Sequence, residues 1–350
     1  MSQISRVLVT GISGYLGSHV VDQLVRQGYR VTGTIRSAKL ATSREAFKKA
    51  HGDAVELVAL NDLVKDSYAD ALKGVDAVIH VAAPPVGGAA SAAVQIDAAV
   101  DGCLNIFRQA EKAGVKHFGY ISSIITYDDL SVEHGKILGD DEWISINKED
   151  VLNNKNAGFW QIYSAVKVLA EKAVWDFADA HPHIEVTCVN PAFVYGPFAP
   201  GFTGPYEGDV LNPNSLSSMA IFRKLIDPQG TAPRTLFVDA RDIARVLVAG
   251  LQAPPTTQVG RKRFLLASVP RPQPSEIVNL LLKERPELAK RINEATKNAA
   301  DDLKPLLDEK RLKEVLGIEL TPWQSTILDG VDAIVKLEDE WKSRGAPIYP

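Results

Sequence analysis

Cysteine is scarce in this 350-residue chain: only Cys103 and Cys188 occur, both in apolar segments. Two thiols cannot build a disulfide framework, and a reduced, cytoplasmic compartment is the expected setting. The seven histidines are scattered, no Cys/His cluster has zinc spacing, and no metal is expected. No stretch approaches the ~20 apolar residues that a membrane span requires. Met1–Ser5 leads directly into the first strand, without the features of a signal peptide. Neither charge sign dominates, since 39 Lys+Arg against 43 Asp+Glu leave −4. That balance gives no reason to expect nucleic acid or a membrane surface as partner. Internal repeats and low-complexity tracts are also missing. What is present is an ordinary globular composition, 45% apolar, enough for a sizeable core in two domains or in one large domain with an embedded lobe.

Strand-like and helix-like segments alternate along the chain. Arg6–Thr10, Tyr29–Ile35, Val55–Leu60, Asp76–Val81, His117–Ser122 and Ile184–Asn190 read as strands. Helical stretches lie near Tyr15–Gln27, Arg44–Ala50, Ser91–Ala113 and Phe159–Ala180. The alternation predicts an α/β fold, a Rossmann-type doubly wound parallel sheet with helices on both faces. Ala77-Val-Ile-His-Val81 is almost continuously apolar, as a strand buried on both sides should be. Ligands of such sheets bind at the carboxyl ends of the strands. Gly11, Arg36, Asp62, Ala82 and Ser123 all fall at or just after a strand end. After Asn190 the pattern changes. Pro191–Asn214 is rich in Gly, Pro and aromatics and reads as a loop covering a pocket. Arg234–Val238 reads as a short strand and Asp239–Leu251 as a helix, and from Gln273 the chain is mostly helical and charged. The expected division is a dinucleotide-binding domain over 1–190 plus about 234–266. A smaller, mostly helical substrate lobe takes 191–233 and 267–350.

The glycine-rich turn Gly11, Gly14, Gly17 sits between the first strand and the first helix, where a dinucleotide fingerprint belongs. Gly11 allows the tight turn, Gly14 lets the backbone approach a pyrophosphate, and Gly17 lets helix and strand pack closely. The spacing is GxxGxxG. Ser13, Tyr15 and Leu16 lie within the same turn and helix start, whose free N–H groups face the phosphates. The second strand ends in Thr34-Ile-Arg36-Ser37 with Lys39 behind it, and no Asp or Glu stands there to hold ribose hydroxyls. Arg36 suits an adenine face and a 2′-phosphate, and Lys39 adds a second charge. NADP(H) is therefore expected over NAD.

Tyr163 and Lys167 are four apart in Tyr-Ser-Ala-Val-Lys, so the phenol and ammonium lie one turn apart on one helix face. A cation at that distance favours the tyrosinate, which makes the pair a candidate general acid/base. Alone this is a common helix pattern; the glycine turn elsewhere in the same expected domain gives it weight.

The ordered set of Thr10–Gly17, Val81-Ala-Ala-Pro84, Ser122-Ser123, Tyr163–Lys167, Asn190-Pro-Ala-Phe-Val-Tyr-Gly-Pro197 and Phe237–Ala244 resembles the extended short-chain dehydrogenases/reductases. Thr34–Ser37 and Ala83-Pro84 resemble their dihydroflavonol-reductase-like branch, which includes fungal carbonyl, aldehyde and methylglyoxal reductases. The resemblance covers about Arg6 to Leu266. It implies Ser123 as the catalytic serine, with Ser122 its nearest competitor, beside Tyr163 as proton donor. It implies that Lys167 binds the nicotinamide ribose, that Pro191 and Val194 lie along the nicotinamide, and that Asp62 and Leu63 touch adenine. Val81, Ala82 and Ala83 join the cofactor contacts. Ala99 stands where sugar-nucleotide epimerases of the superfamily carry a substrate-touching Asn.

The implied reaction is reversible NADPH-dependent reduction of an aldehyde or ketone. The candidate pocket lining is Pro84, Pro85, Val86, Ile125, Tyr127, Phe159, Trp160, Phe193, Phe198 and Tyr206, mostly apolar, which suits a medium-sized hydrophobic or aromatic carbonyl. Each of these residues is equally suited to core packing. The polar segment Asp128–Gly158, with Trp143, reads as a solvent-facing loop and short helix. Two other functions use the same scaffold: an NAD(P)-dependent epimerase, dehydratase or steroid-type dehydrogenase, and a non-enzymatic NADP sensor. Monomer and homodimer both fit.

Overall fold

The fold is taken from a computed structural model that describes residues 4–127, 141–154, 156–203, 206–207, 210–211, 216–232, 234–299, 309–343 and 345. Its centre is β1 (Arg6–Thr10), β2 (Arg30–Ile35), β3 (Val55–Ala59), β4 (Ala77–His80), β5 (His117–Ile121) and β6 (Glu185–Pro191). Short pairs follow as β7 (Phe193–Tyr195), β8 (Tyr206–Glu207), β9 (Val210–Leu211) and β10 (Phe237–Asp239), and β11 (Lys262–Leu266) returns to the main sheet. That sheet has seven parallel strands in the order β11-β6-β5-β4-β1-β2-β3. The seventh strand, β11, has no counterpart in the sequence reading. The short strand expected at 234–238 forms as β10 and pairs with β7, outside the main sheet.

The strand residues explain the layering. Successive side chains face opposite sides of a strand. Val7 and Val9 of β1 and Ala77 and Ile79 of β4 enter one apolar cluster, while Leu8 and Val78 enter the other. The first cluster is covered by α1 (Tyr15–Arg26), and the second by α3 (Ala92–Lys112) and α4 (Phe159–Ala180). The helix α2 (Ser37–His51) flanks β3. Ser91 caps α3 by accepting from the Val94 amide, which sets its first turn. The α4 boundaries coincide with those read from the sequence. Beyond β10, α5 (Ala240–Gly250) packs on α1. The C-terminal helices α6 (Pro274–Glu284) and α7 (Trp323–Ser343) bury Ile277, Leu281, Trp323, Ile327, Val331 and Trp341 in the first cluster. Among the described residues no helix is long and apolar enough to cross a membrane.

The carboxyl ends of β1 and β4 are locked together. Thr10 and His80 are register partners, and their side chains bond at 2.7 Å. The Thr10 hydroxyl oxygen also accepts from the amides of Val81 and Ala82, both at 3.1 Å. Its own proton is then left for His80 Nδ1, which assigns the histidine as neutral with its proton on Nε2. Burial, reinforced by the nearby Lys167 charge, pushes the His80 imidazole down to about 3. The folded value lies below the ordinary one near 6.5, so between the two the unfolded chain binds the extra proton. Stability therefore falls as pH drops from about 6.5 toward 3, by at most about 1.4 kcal/mol per pH unit. His19 on α1 is also lowered, chiefly by burial, and acts in the same direction. The urea midpoint is expected to fall between pH 6.5 and 5, and to fall less in His80→Gln. Equal slopes in the two proteins would remove His80 as a source of the acid sensitivity.

Candidate active site

The glycine turn is built by close backbone contact. Gly11 adopts φ +70, and a Cβ added there would lie 3.0 Å from the Ala82 Cα. A Cβ on Gly17 would stand 2.2 Å from the Gly11 carbonyl oxygen, so helix and turn touch only because that atom is missing. Gly14, exposed at the N-terminus of α1, has no side-chain cap over it. The first amides of α1 are left facing the turn, and this cradle fits a pyrophosphate. Ser13 and Leu16 are half-buried beside it. Tyr15 opens α1, so its backbone belongs to the same helix start. Its ring is buried and its hydroxyl donates to the Gly196 carbonyl at 3.0 Å, so the side chain serves the packing of the 196–203 segment.

That segment lies across α1 and α2. His19 Nε2 meets the Pro197 carbonyl at 2.9 Å, Ser43 and Thr203 hydroxyls meet at 3.1 Å, and Gly201 rests against the Phe47 ring. Phe198 stacks on Phe202 at 5.0 Å and meets Tyr15 edge-on at 5.8 Å. Its described ring contacts thus belong to this strap, the packing role that was its other expected place. Tyr206 lies in the small β8–β9 hairpin.

At the end of β2, Arg36 is exposed and its guanidinium has no hydrogen bond or ion pair among the described residues. Ser37 beside it is clamped, its amide donating to Asn61 Oδ1 at 2.9 Å and its hydroxyl accepting from Asn61 Nδ2 at 3.0 Å. The Lys39 amide bonds the Arg36 carbonyl at 2.9 Å. Asp62 Oδ1 accepts from the Val64 and Lys65 amides, so one carboxylate oxygen is committed to its own turn. Leu63 faces Gly102 on α3, where a glycine Cβ would lie 3.4 Å from the Leu63 Cβ.

The exit of β4 leads through half-buried Val81 and Ala82, exposed Ala83, half-buried Pro84, exposed Pro85 and half-buried Val86. Gln95 of α3, absent from the sequence-derived candidates, holds this loop: its Oε1 accepts from Gly87 at 2.6 Å and its Nε2 donates to Ala90 at 2.7 Å. Gly87 in turn sits 3.7 Å, as a Cβ, from the Phe159 ring. At the start of α4, Phe159 and Trp160 are 50% and 55% exposed. The Tyr163 ring lies parallel to Phe159 at 5.8 Å and 12°, and edge-on to Trp160 at 6.0 Å. Lys167, one turn on, is half-buried, and its charge reaches His80 on β4, Cys103 on α3 and Cys188 on β6. The ammonium is therefore on the sheet side of α4.

After β5, Ser122 and Ser123 face different partners. The Ser122 hydroxyl donates to the buried Glu171 carboxylate of α4. Ser123 is extended at φ −161, ψ 151, and among the described residues its Oγ meets only the Ile125 amide, at 3.3 Å. The Ser123 carbonyl accepts from Thr126 Oγ1 at 2.9 Å and from Asn190 Nδ2 at 3.3 Å. Glu171 also accepts from Arg263 Nε at 2.7 Å and Asn190 Nδ2 at 2.7 Å. Arg263 donates to Thr126 Oγ1 at 2.9 Å and the Glu142 carbonyl at 2.7 Å. The Arg263 guanidinium lies between the Tyr127 and Trp143 rings, 3.9 Å from each. Tyr127, 1% exposed, takes the core-packing place that was its other expected role. In the 128–158 segment the expected short helix forms at Lys148–Asn153 and Trp143 is half-buried with its ring on Arg263; residues 128–140 and 155 lie outside the described residues. Ile125 stays half-buried, Phe193 is half-buried with the Arg234 guanidinium 5.8 Å away, and Pro191 and Val194 are buried in β6 and β7.

Sequence reasoning missed Thr10, Asn61, Gln95, Thr126, Glu171 and Arg263. Glu171 left the clearest signal, four residues beyond Lys167 on the same helix. Among the described residues no group of His, Cys, Asp or Glu is arranged to hold a metal ion.

The aldehyde reductase 2 of Sporidiobolus salmonicolor is 30% identical over 276 residues, 74% of this chain and 75% of that one. The NADPH-dependent methylglyoxal reductase GRE2 of Saccharomyces cerevisiae is 26% identical over 357 residues, covering 95% and 98%. Among solved structures, Gre2 from Candida albicans in complex with NADPH superposes with a TM-score of 0.78 at 23% identity, over 95% of this chain and 99% of that one. The profile of the NAD dependent epimerase/dehydratase family matches residues 7–263, and the chain belongs to that family.

Proposed function

We propose that this protein reduces an aldehyde or ketone to an alcohol with NADPH, reversibly. The observation that carries the reading is the Tyr163–Lys167 pair one turn apart on α4, with the Lys167 charge near enough to disfavour a protonated His80 at the end of β4. Its relatives named as NADPH-dependent or aldehyde reductases support the same chemistry.

When bound, the nicotinamide supplies a hydride to the carbonyl carbon. Tyr163 donates the proton to the carbonyl oxygen. Lys167, one turn on, would hold the nicotinamide ribose hydroxyls. Ser123 donates its hydroxyl hydrogen to the same oxygen as charge develops there. Ser122 is the weaker candidate for that task, because its hydroxyl is spent on Glu171. The unpaired Arg36 holds the 2′-phosphate and gives the preference for NADPH over NADH. Proton and hydride together convert the carbonyl to the alcohol and leave NADP⁺, and Tyr163 is reprotonated from solvent.

Half-exposed Phe159 and Trp160 beside the Tyr163 ring favour a medium-sized hydrophobic or aromatic carbonyl. The family also contains epimerases, which return the cofactor to its starting state. Net loss of NADPH absorbance at 340 nm against a panel of aldehydes, diketones and aryl ketones separates the two. A chain that binds NADPH but consumes none with any of them is not a carbonyl reductase.

Tyr163→Phe is expected to keep NADPH affinity and lose about 10²–10⁴-fold in kcat, the usual contribution of a general acid. Near-wild-type turnover would sink the assignment. Arg36→Asp is expected to weaken NADPH by roughly 10–100-fold, the worth of a charge-assisted contact, while NADH changes little. Titration of both cofactors by fluorescence decides this, and equal losses would remove Arg36 as the phosphate reader.

A further inference from the structure

We infer that Thr126 is a positioning residue for Ser123, held in place by the buried Glu171–Arg263 ion pair and Asn190. The inference rests on the reductase reading above and adds to it the device that sets the serine. Thr126 has no exposed surface and its hydroxyl is saturated. It donates to the Ser123 carbonyl at 2.9 Å and accepts from Asn190 Nδ2 at 3.0 Å and Arg263 Nη2 at 2.9 Å. Its single proton therefore has one destination, and both remaining lone pairs are occupied. The hydroxyl joins the turn after β5 to β6 through Asn190, to β11 through Arg263 and, through both, to Glu171 on α4.

The energetics argue that this cluster is there for geometry. Glu171 and Arg263 are 0% and 1% exposed, and a buried ion pair recovers its desolvation cost only with full hydrogen bonding, giving little net stability. Here the bonding is complete. The Glu171 carboxylate accepts from Arg263, Trp175, Asn190 and Ser122, and Arg263 is closed on both faces by Tyr127 and Trp143. Apolar residues of the same volume would fill the space at no such cost. What they would not do is grip a carbonyl. The Ser123 carbonyl is held by the Thr126 hydroxyl at 2.9 Å and amide at 3.2 Å, and at 3.3 Å by the Asn190 amide hydrogen it shares with Thr126 Oγ1, while among the described residues its Oγ has one long contact. Fixing the backbone while leaving the hydroxyl lightly engaged is what a hydrogen-bond donor waiting for a substrate oxygen requires.

Thr126→Val replaces the hydroxyl with a methyl of similar size, whereas Thr126→Ser keeps the hydroxyl. In wild-type background Thr126→Val is expected to lower kcat by roughly 10–100-fold, the cost of a misplacement near 1 Å, with the KM for NADPH within about 2-fold. Thr126→Ser should stay within about 3-fold of wild type, because the bonded oxygen is retained. In a Ser123→Ala background Thr126→Val should cost less than about 3-fold, since residues acting as one unit are non-additive. Amide exchange of the 121–127 peptide should quicken in Thr126→Val and remain as wild type in Thr126→Ser. Unchanged exchange in Thr126→Val overturns the proposal whatever the kinetics. Additive losses in the Ser123→Ala background overturn it too, because Thr126 would then act elsewhere. A wild-type protein that reduces no carbonyl sinks the reductase reading and this proposal with it. Failure of the variants alone, against an active wild type, sinks only the proposal.

Discussion

The site depends on one buried ion pair. Glu171 of α4 and Arg263 of β11 are separated by 92 residues and meet at 2.7 Å with almost no exposure. Leaving either charge alone in that interior would cost several kcal/mol, so the two elements cannot be placed independently. Because α4 also carries Tyr163 and Lys167, its rotation about the sheet is fixed by the same contact. Because Arg263 donates to Thr126, the turn bearing Ser123 is fixed by it as well. Helix, turn and edge strand therefore share one reference point below the cleft.

The cofactor side is organised by a different means, close packing without charge. Gly17 approaches the Gly11 carbonyl within a distance that no side chain permits, Gly11 packs tightly on Ala82 at φ +70, and Thr10 ties the exits of β1 and β4 with three bonds from one hydroxyl. The two halves meet at His80. It bonds Thr10 on one side and lies within reach of the Lys167 charge on the other. A neutral imidazole at this junction keeps the Thr10 hydrogen bonds in one arrangement and adds no second cation beside Lys167.

Legibility in the sequence followed the physics of each feature. The central strand β4 was readable because both of its faces are buried and its residues are apolar almost without interruption, as in Ala77–His80. The glycine turn was readable because backbone contact excludes every other residue type at Gly17. The strand β11 was not, because it opens with Lys262 and Arg263, two charges that resemble a surface segment. Both are buried, and their partners Glu185 and Glu171 lie 77 and 92 residues away, a pairing that no local pattern contains. The packing of Tyr127 and Trp143 was hidden for the same reason: each ring is a face of the Arg263 sandwich, visible only once Arg263 is known to be inside. The ring partners of Tyr15 and Phe198 were hidden because the 196–203 strap crosses α1 and α2, a tertiary contact between segments some 180 residues apart, as Tyr15 to Gly196 shows.

The exposed rings at the start of α4 are the counterpart of this economy below. A folded chain gains about 1.5–3 kcal/mol by fully burying a large apolar side chain, yet Phe159 and Trp160 stay half in water. They are not loose, since Phe159 stacks on Tyr163 and Trp160 meets both rings edge-on. Aromatic pairs of this kind hold each other in place by about 0.5–1.5 kcal/mol beyond burial. The result is a rigid apolar face against the candidate acid, whose remaining area is free to be covered by the apolar body of a carbonyl compound. In the proposed reduction, binding energy taken there would be remote from the reacting oxygen and so available to hold that oxygen between Ser123 and Tyr163.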